Sequence, residues 1–366
     1  MTNSIKQHTQ LIRIEKRKEL NNKQALALRL CAFLVAIVVG GLFIAAMGEN
    51  PFEAYWLIIK GAFIGGKRNP FSAIQATIIK WIPLVMVSIG LSFAFKMKFW
   101  NIGGEGQIMM GAVFAGYFAV CHPEIPRFLL LPLMFIAGMV GGGIWALIPA
   151  LFKVKFGTNE TLFTLMLNYI ALYIINYLES GPWQGTKGFA SIAAYSSNVL
   201  LPKVFGIHIG WIIAIVVIIL SFVYLKYTKA GYEISVVGES QATARYAGMN
   251  VKKIVIRTMF ISGAICGLVG MIQSTGYDNT LTVGVTGGVG WSGIIVAWLS
   301  QLSPLVIAFV SALFSILEKG SSLMQSQLGL SSYAADVLQS IILFFVLGSE
   351  FFIRYRFVFN KKGASK

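Results

Sequence analysis

The residues of this sequence that could do chemistry are acids and amides placed inside long apolar segments. Asn101, Glu105 and Gln107 lie together where one such segment begins, and Asn168 lies in the middle of another. A polar side chain in apolar surroundings costs free energy unless it is hydrogen-bonded or reaches water. For the amides, two roles are therefore open: contact with a solute, and hydrogen bonding between helices. The other polar residues of this kind are Glu160, Gln273, Asp336 and Gln339.

No catalytic or metal-binding motif meets its structural requirements. Residues 61–68 fit the phosphate-binding pattern GxxxxGK, but Arg68 stands where Ser or Thr should hold magnesium. Residues 288–293 fit GxGxxG without the preceding strand that a dinucleotide site needs. The three cysteines lie far apart inside apolar runs, so we expect neither a disulfide nor a zinc site. We predict that the chain is not an enzyme and holds no cofactor of its own.

The composition places these polar residues in a membrane. Of the 366 residues, 56% are hydrophobic and 12% are charged, whereas a soluble protein has about 25% charged residues. A soluble enzyme, a disordered protein and a nucleic-acid-binding protein are all poorly supported. A helix crosses the hydrocarbon with about 20 apolar residues, and the spacing of charges predicts ten such spans. The long uncharged run after Asp278 is divided into two spans near Pro304.

The basic residues predict the orientation. Ten spans put both termini on one side, which carries 22 of the 30 Lys and Arg residues, and basic residues favour the cytoplasm. We therefore expect an all-α polytopic membrane protein with cytoplasmic termini. Its predicted parts are a basic tail (residues 1–29), a transmembrane domain (30–353) with an external loop (179–209) and a cytoplasmic loop (228–253), and a second basic tail (354–366).

Two similar glycine clusters indicate an internal repeat. The first contains Gly103, Gly104 and Glu105, and the second contains Gly287, Gly288, Gly290 and Trp291. Five predicted spans separate the clusters, so the second copy would be inverted, and inverted repeats with glycine-broken helices are typical of transporters. Glu105 has two possible roles at this break. It could contact substrate, or it could accept hydrogen bonds from backbone groups that the Gly103-Gly104 break frees.

The largest predicted cytoplasmic loop contains a short helix. The stretch ending at Gly238 is expected to be extended, Glu239 or Ser240 to cap a helix over residues 241–247, and Gly248 to end it. The helix also carries Arg245 and Tyr246. The pattern fits both a docking element and an ordinary solvated loop.

Three segments resemble the permease subunits of ABC importers for simple sugars, nucleosides and branched-chain amino acids. They are FWNIGGEGQIMMGA (residues 99–112), TNETLFTLMLNYIA (158–171) and GYEISVVGESQATARYAGMNVKK (231–253), and GGVGWSGI (287–294) resembles the second glycine-rich break of that family. The second segment is closest to the nucleoside and simple-sugar branch. Where Ser240 stands here, relatives often have Asn.

This resemblance implies a fold, a set of partners and a mechanism. The implied fold is that of the ten-helix permeases of the cobalamin type, with an inverted repeat. The implied partners are a second permease subunit, a different chain in nucleoside systems, together with cytoplasmic ATP-binding subunits and an external substrate-binding lipoprotein. ATP and magnesium would bind those ATPase subunits. Residues Glu239, Ser240, Arg245, Tyr246 and Gly248 would rest against the ATPase.

Two other classes compete with a nucleoside or sugar permease in the cell membrane. A stand-alone transporter coupled to protons through Glu105 or Asp336 would explain the buried acids and the repeat, but not the loop that resembles a coupling segment. A membrane enzyme lacks any catalytic constellation.

Overall fold

Helices form nearly all of the regular structure in the computed structural model, which describes residues 12–17, 21–66 and 69–359. In chain order the elements are β1 (Ile12–Lys16), α1 (Asn22–Ala46), α2 (Pro51–Phe63), α3 (Ser72–Lys96), α4 (Gly104–Cys121), α5 (Arg127–Phe156), α6 (Glu160–Ser180), β2 (Lys203–Val204), β3 (Ile207–His208), α7 (Gly210–Tyr227), α8 (Lys229–Glu239), α9 (Gln241–Tyr246), α10 (Val251–Gly276), α11 (Val289–Leu299), α12 (Pro304–Leu328), α13 (Ser332–Arg354) and β4 (Tyr355–Phe359).

Eight of these helices are long and apolar enough to cross a membrane, namely α1, α3, α5, α6, α7, α10, α12 and α13. The two remaining predicted spans correspond to α4, which has 18 residues and begins with polar Glu105 and Gln107, and to α11, which has 11 residues. At 1.5 Å per residue, α11 covers only about half of the hydrocarbon thickness. The prediction of an all-α membrane protein with about ten spans is confirmed.

The chain divides into two units, one made of residues 1–58 with 321–366 and the other of residues 59–320. In the first unit, α1 packs against α13, and β1 pairs antiparallel with β4. The Tyr55 hydroxyl donates a 2.6 Å hydrogen bond to the Ile37 carbonyl within this unit. The residues that form the candidate site all belong to the second unit.

The second unit is built around α3 and α10, of which 78% and 72% of the span are buried. Glycines allow α5 and α10 to approach closely: a Cβ on Gly142 would lie 2.5 Å from the Gly267 Cα, and one on Gly138 would lie 3.0 Å from the Met271 Cβ. Small residues at four-residue spacing are how membrane helices bring their backbones together. The pairs Gly138/Gly142 and Gly263/Gly267 therefore allow close helix packing. Gly284 and Gly288 have the same spacing, but a Cβ added at either would meet no other helix.

Acid should destabilise the protein through His208, which lies in β3 and is 1% exposed. Its Nδ1 accepts a hydrogen bond from the Gly210 amide at 3.3 Å. Burial and the nearby charge of Lys203 lower the pKa of His208 from 6.5 to about 4. Between these two pKa values, His208 is protonated in the unfolded chain but not in the folded chain. The free energy of unfolding therefore decreases as the pH falls through this range.

We expect the melting temperature of the purified protein to fall as the pH is lowered from 6.5 to about 4, and to fall less in a His208→Gln variant, which cannot titrate. The measurement is thermal unfolding in detergent at several pH values. Equal slopes for the two proteins would contradict the assignment to His208.

Candidate functional site

Amide side chains form hydrogen bonds at the first glycine cluster, where the chain between α3 and α4 is not helical. The Asn101 Oδ1 accepts hydrogen bonds from the Gly103 amide at 3.0 Å and from the Gln107 Nε2 at 2.9 Å. The Asn101 Nδ2 donates to the Ser262 hydroxyl of α10 at 3.2 Å. Asn101 is fully buried. This amide therefore replaces the helical hydrogen bonds that the chain gives up between α3 and α4.

Residues of α6 also form hydrogen bonds with the backbone that leads from α3 into the first turn of α4. The Asn168 Oδ1 accepts from the Gly106 amide at 2.9 Å, and its Nδ2 donates to the Ile102 carbonyl at 2.9 Å. The Thr164 hydroxyl, one helical turn earlier, accepts from the Ile102 amide at 3.2 Å. This geometry favours hydrogen bonding between helices over solute contact as the role of Asn168.

The second glycine cluster positions the start of α11. Gly287 and Gly288 have φ angles of +54° and +77°, a left-handed conformation that glycine adopts at little cost. The amides of Gly290 and Trp291 then point at the buried Glu105 carboxylate, and the Oε1 atom accepts hydrogen bonds from them at 2.8 and 3.3 Å. Glu105 thus caps α11 although it belongs to the first turn of α4.

One of the two roles considered for Glu105, hydrogen bonding to the donors freed by its own break, is not observed. Three amides at that break donate to other side chains: Gly103 to Asn101, Ile102 to Thr164 and Gly106 to Asn168. The carboxylate instead accepts a hydrogen bond at the second glycine cluster, from the amide of Gly290, which is 185 residues away in sequence. The N-termini of α4 and α11 both carry positive helix-dipole charge, and the single Glu105 side chain lies at both helix ends.

The backbones of the two clusters are nearly in contact, because a Cβ on Gly104 would lie 3.5 Å from the Gly290 Cα. A Cβ on Gly290 would lie 2.7 Å from the Glu105 amide nitrogen. We call residues 101–107 with 287–291 the glycine junction. It unites all the predicted path residues except Asn168, which contacts it from α6, and its Trp291 side chain is 45% exposed.

Sequence reasoning missed Thr164 and Ser262 as partners of the junction. Thr164 carries a weak signal, since it precedes Asn168 by four residues and so shares its helix face. Nothing in the sequence marks Ser262, because the hydroxyl of a serine in an apolar helix usually donates a hydrogen bond to a carbonyl of its own helix. The remaining predicted acids lie elsewhere: Glu160 pairs with Lys153 at 2.7 Å, and Asp336 is exposed on α13.

The predicted cytoplasmic loop is helical almost throughout. The stretch predicted to be extended is α8, so that prediction is wrong. Its N-terminus is capped by Thr228, and Gly238 lets it pack on the end of α3, where an added Cβ would lie 3.2 Å from the Met97 Cα. An ion pair of 3.0 Å between Glu233 and Arg257 ties α8 to α10. Tertiary packing, which a single sequence does not display, decides this conformation.

The short helix predicted here is confirmed as α9, one residue shorter than expected. The Ser240 hydroxyl accepts from the Thr243 amide at 3.2 Å, which makes Ser240 rather than Glu239 the cap. Gly248 has a φ angle of +76° and ends the turn that follows the helix. Tyr246 is 95% exposed, and Glu239 and Arg245 are exposed beside it, while Ala244 is buried. The α8–α9 segment is thus anchored to α3 and α10 through α8, whereas the side chains of Arg245 and Tyr246 in α9 are exposed.

In the described part of the chain, no group of three or more acidic, histidine or cysteine residues could hold a metal ion. The site therefore consists of a polar junction inside the membrane helices and a helical segment that projects from them. Such an arrangement can move helix ends against each other and can receive a partner. It defines a multi-pass helical membrane protein with a broken-helix centre, an architecture typical of transport subunits.

Comparison with known proteins identifies the family. The family model described as branched-chain amino acid transport system / permease component matches residues 73–347, and the chain belongs to this family. The chain is 30% identical to the nucleoside ABC transporter permease protein of Lactococcus lactis, covering 89% of this chain and 92% of that protein.

Two other relatives match over similar lengths. The guanosine ABC transporter permease protein NupP of Bacillus subtilis is 29% identical over 92% of this chain and 97% of its own length. The glucose ABC transporter permease protein of Haloferax volcanii is 29% identical over 90% of both chains. The chain is therefore a permease subunit of an ABC importer in the cytoplasmic membrane, a transport component rather than an enzyme. Such a subunit works in a complex with an ATPase.

Proposed function

We propose that this chain forms the translocation path for a nucleoside or a related simple sugar, and that α8–α9 couples the path to the ATPase. The observation that carries the coupling role is α9 itself, a capped helix that is anchored by α8 and presents exposed Arg245 and Tyr246. Arginine and aromatic residues are enriched among the residues that dominate protein interfaces. The similarity to nucleoside and guanosine permeases over about nine-tenths of the chain supports the cargo class.

The proposed assembly follows from the same family membership. This permease pairs with a second permease subunit, a different chain, and receives cargo from an external lipoprotein. ATP and magnesium bind the ATPase subunits, whose docking places α8–α9 and both termini in the cytoplasm. Residues 30–353 form the membrane domain, and the basic segments 1–29 and 354–366 contain the paired strands β1 and β4.

In this assembly the glycine junction is the hinge of the path. Two helix ends meet at one carboxylate, so a small movement of either end changes the hydrogen bonds of both. Glu105 is engaged by backbone donors, which supports a positioning role and weighs against its use as a proton carrier. Family membership likewise favours the ATP-driven importer over a proton-coupled transporter.

Uptake of labelled solutes tests the cargo class. Cells that express this permease with its partner subunits should accumulate guanosine or another nucleoside, and an unlabelled nucleoside should compete. Expression of the same set without this permease is the matched control. Uptake of glucose with no competition by nucleosides would overturn the nucleoside assignment and leave the permease role intact.

A further inference from the structure

The exposed face of α6 differs in chemistry from the exposed face of the next spanning helix. From its middle to its C-terminal end, α6 exposes six residues, of which Ile170 and Tyr177 lie along one edge of the exposed face. The other four are Tyr169, Tyr173, Asn176 and Ser180. These positions follow one another at spacings of four, three and four residues, so they form one narrow stripe along the helix. We call these four residues the α6 polar stripe. It lies opposite the buried face that carries Thr164 and Asn168.

The matching surface of α7 is aliphatic. Between Gly210 and Val223, α7 exposes only isoleucine, valine and leucine, namely Ile212, Ile215, Val216, Ile219, Leu220 and Val223. Such a surface suits lipid chains. Because α6 and α7 are joined by one connecting segment without a span, the end of α6 and the start of α7 lie at the same membrane face. The two helices therefore provide an internal comparison at equal depth.

A lipid-facing position does not suit the α6 polar stripe. Tyrosines are common at the membrane–water interface, which would account for a tyrosine near Ser180. Tyr169, however, is 11 residues from that end and nine from Glu160 at the other end, or about 16 and 13 Å along the axis, too far for its hydroxyl to reach the headgroups on either side. The Asn176 Nδ2 donates a hydrogen bond to the Leu172 carbonyl at 3.2 Å, but a tyrosine hydroxyl without a hydrogen-bonding partner in hydrocarbon is costly. The stripe must face water or a polar partner.

Direct packing against a second permease subunit also fits poorly. Membrane helices associate closely through small residues, as α5 does with α10 at Gly142 and Gly267. Two bulky tyrosines one turn apart, each more than half exposed, would keep a neighbouring backbone away. They leave room for solute and water between them.

We infer that the α6 polar stripe lines the water-filled solute path, and that Tyr169 and Tyr173 contact the ring of a nucleoside. This inference rests on the proposed function. Tyrosine rings offer flat faces on which a base can stack, and their hydroxyls, with Asn176 and Ser180, supply hydrogen bonds for sugar and base edges. The spacing of about 6 Å between successive tyrosines along the axis lets cargo pass from one to the next.

Cysteine accessibility tests this inference in the assembled transporter. Cys31, Cys121 and Cys266 are replaced, and a single cysteine is introduced as Tyr173→Cys or, as the control, Val216→Cys. Tyr173 is seven residues from the end of α6, and Val216 is six from the start of α7. A charged, membrane-impermeant thiol reagent should label the first variant at least about tenfold faster than the second, because water reaches only the first. Saturating guanosine should slow that labelling.

Uptake measurements on two Tyr173 variants distinguish the contribution of its aromatic ring from that of its hydroxyl. Tyr173→Ala should reduce nucleoside uptake by about tenfold, given the usual contribution of one stacked base. Tyr173→Phe should retain more uptake than Tyr173→Ala, and Val216→Ala should be unchanged. The amount of co-purified ATPase should be the same in all three.

Three other outcomes would contradict the inference in whole or in part. Equally slow labelling of both cysteines would place the stripe against lipid and overturn the inference. Cross-linking of Tyr173→Cys to the second permease subunit by a short thiol-reactive reagent, with labelling insensitive to cargo, would make the stripe an interface and also overturn the inference. Protection by a sugar and not by a nucleoside would retain the path but overturn the nucleoside assignment.

Discussion

Replacement of Glu105 by alanine is expected to abolish uptake and to lower the yield of folded protein, whereas Glu105→Gln should retain part of both. Alanine leaves the buried Gly290 and Trp291 amides without their acceptor. Each unsatisfied buried donor costs about 1–3 kcal/mol. The glutamine carbonyl still accepts hydrogen bonds at the same position.

A pair of glycine substitutions provides the matched control for this prediction. In Gly290→Ala the new Cβ would lie 2.7 Å from the Glu105 amide nitrogen and 2.8 Å from its Oε1, so the junction must open. In Gly284→Ala, six residues earlier, the nearest atom would be the Thr282 hydroxyl at 3.6 Å, an ordinary contact. Uptake and size-exclusion profiles should be normal for Gly284→Ala only. Normal behaviour of both Glu105→Ala and Gly290→Ala would refute the hinge role.

The second large effect is expected at α9. A variant with Arg245→Ala and Tyr246→Ala should insert normally into the membrane, because neither side chain packs in the protein, but should lose its ATPase subunit and its uptake. Truncation of one such interface residue typically costs about 2 kcal/mol, or roughly thirtyfold in affinity. Co-purification of the ATPase with the tagged permease measures the loss.

Two further variants sharpen this experiment. Gly248→Val introduces no contact within 4 Å but forces a β-branched residue to a φ angle of +76°, so it should displace α9 through backbone strain alone. Phe205→Ala removes an aromatic side chain that is 83% exposed between β2 and β3 and should leave the ATPase bound. Full ATPase recovery with the double variant and with Gly248→Val would show that α9 is not the docking element.

Charge spacing predicted the number of spans because a bilayer imposes a uniform length on every crossing helix. Local capping rules predicted α9, since Ser240 and Gly248 act within their own turn. The partner of Glu105 could not be predicted in this way, because Gly290 is 185 residues away in sequence and only the fold brings it near. The helical state of α8 was missed for the same reason: its glycines read as breaks, whereas Gly238 permits contact with α3.

The α6 polar stripe illustrates a different limit. The sequence shows tyrosines at helical spacing, but it does not show which face of α6 packs against α4 and α5. Only the structure establishes that Tyr169 and Tyr173 point away from the packed face. The chemical meaning of the stripe depends on that fact and on the comparison with α7.

The most direct test of an ATP-driven permease is uptake into proteoliposomes that contain the complete complex with its binding protein. We predict nucleoside accumulation when ATP and magnesium reach the ATPase side, none without ATP, and none with the Arg245→Ala, Tyr246→Ala variant. Accumulation driven by a proton gradient in the absence of ATP, and lost in Glu105→Gln, would contradict this prediction.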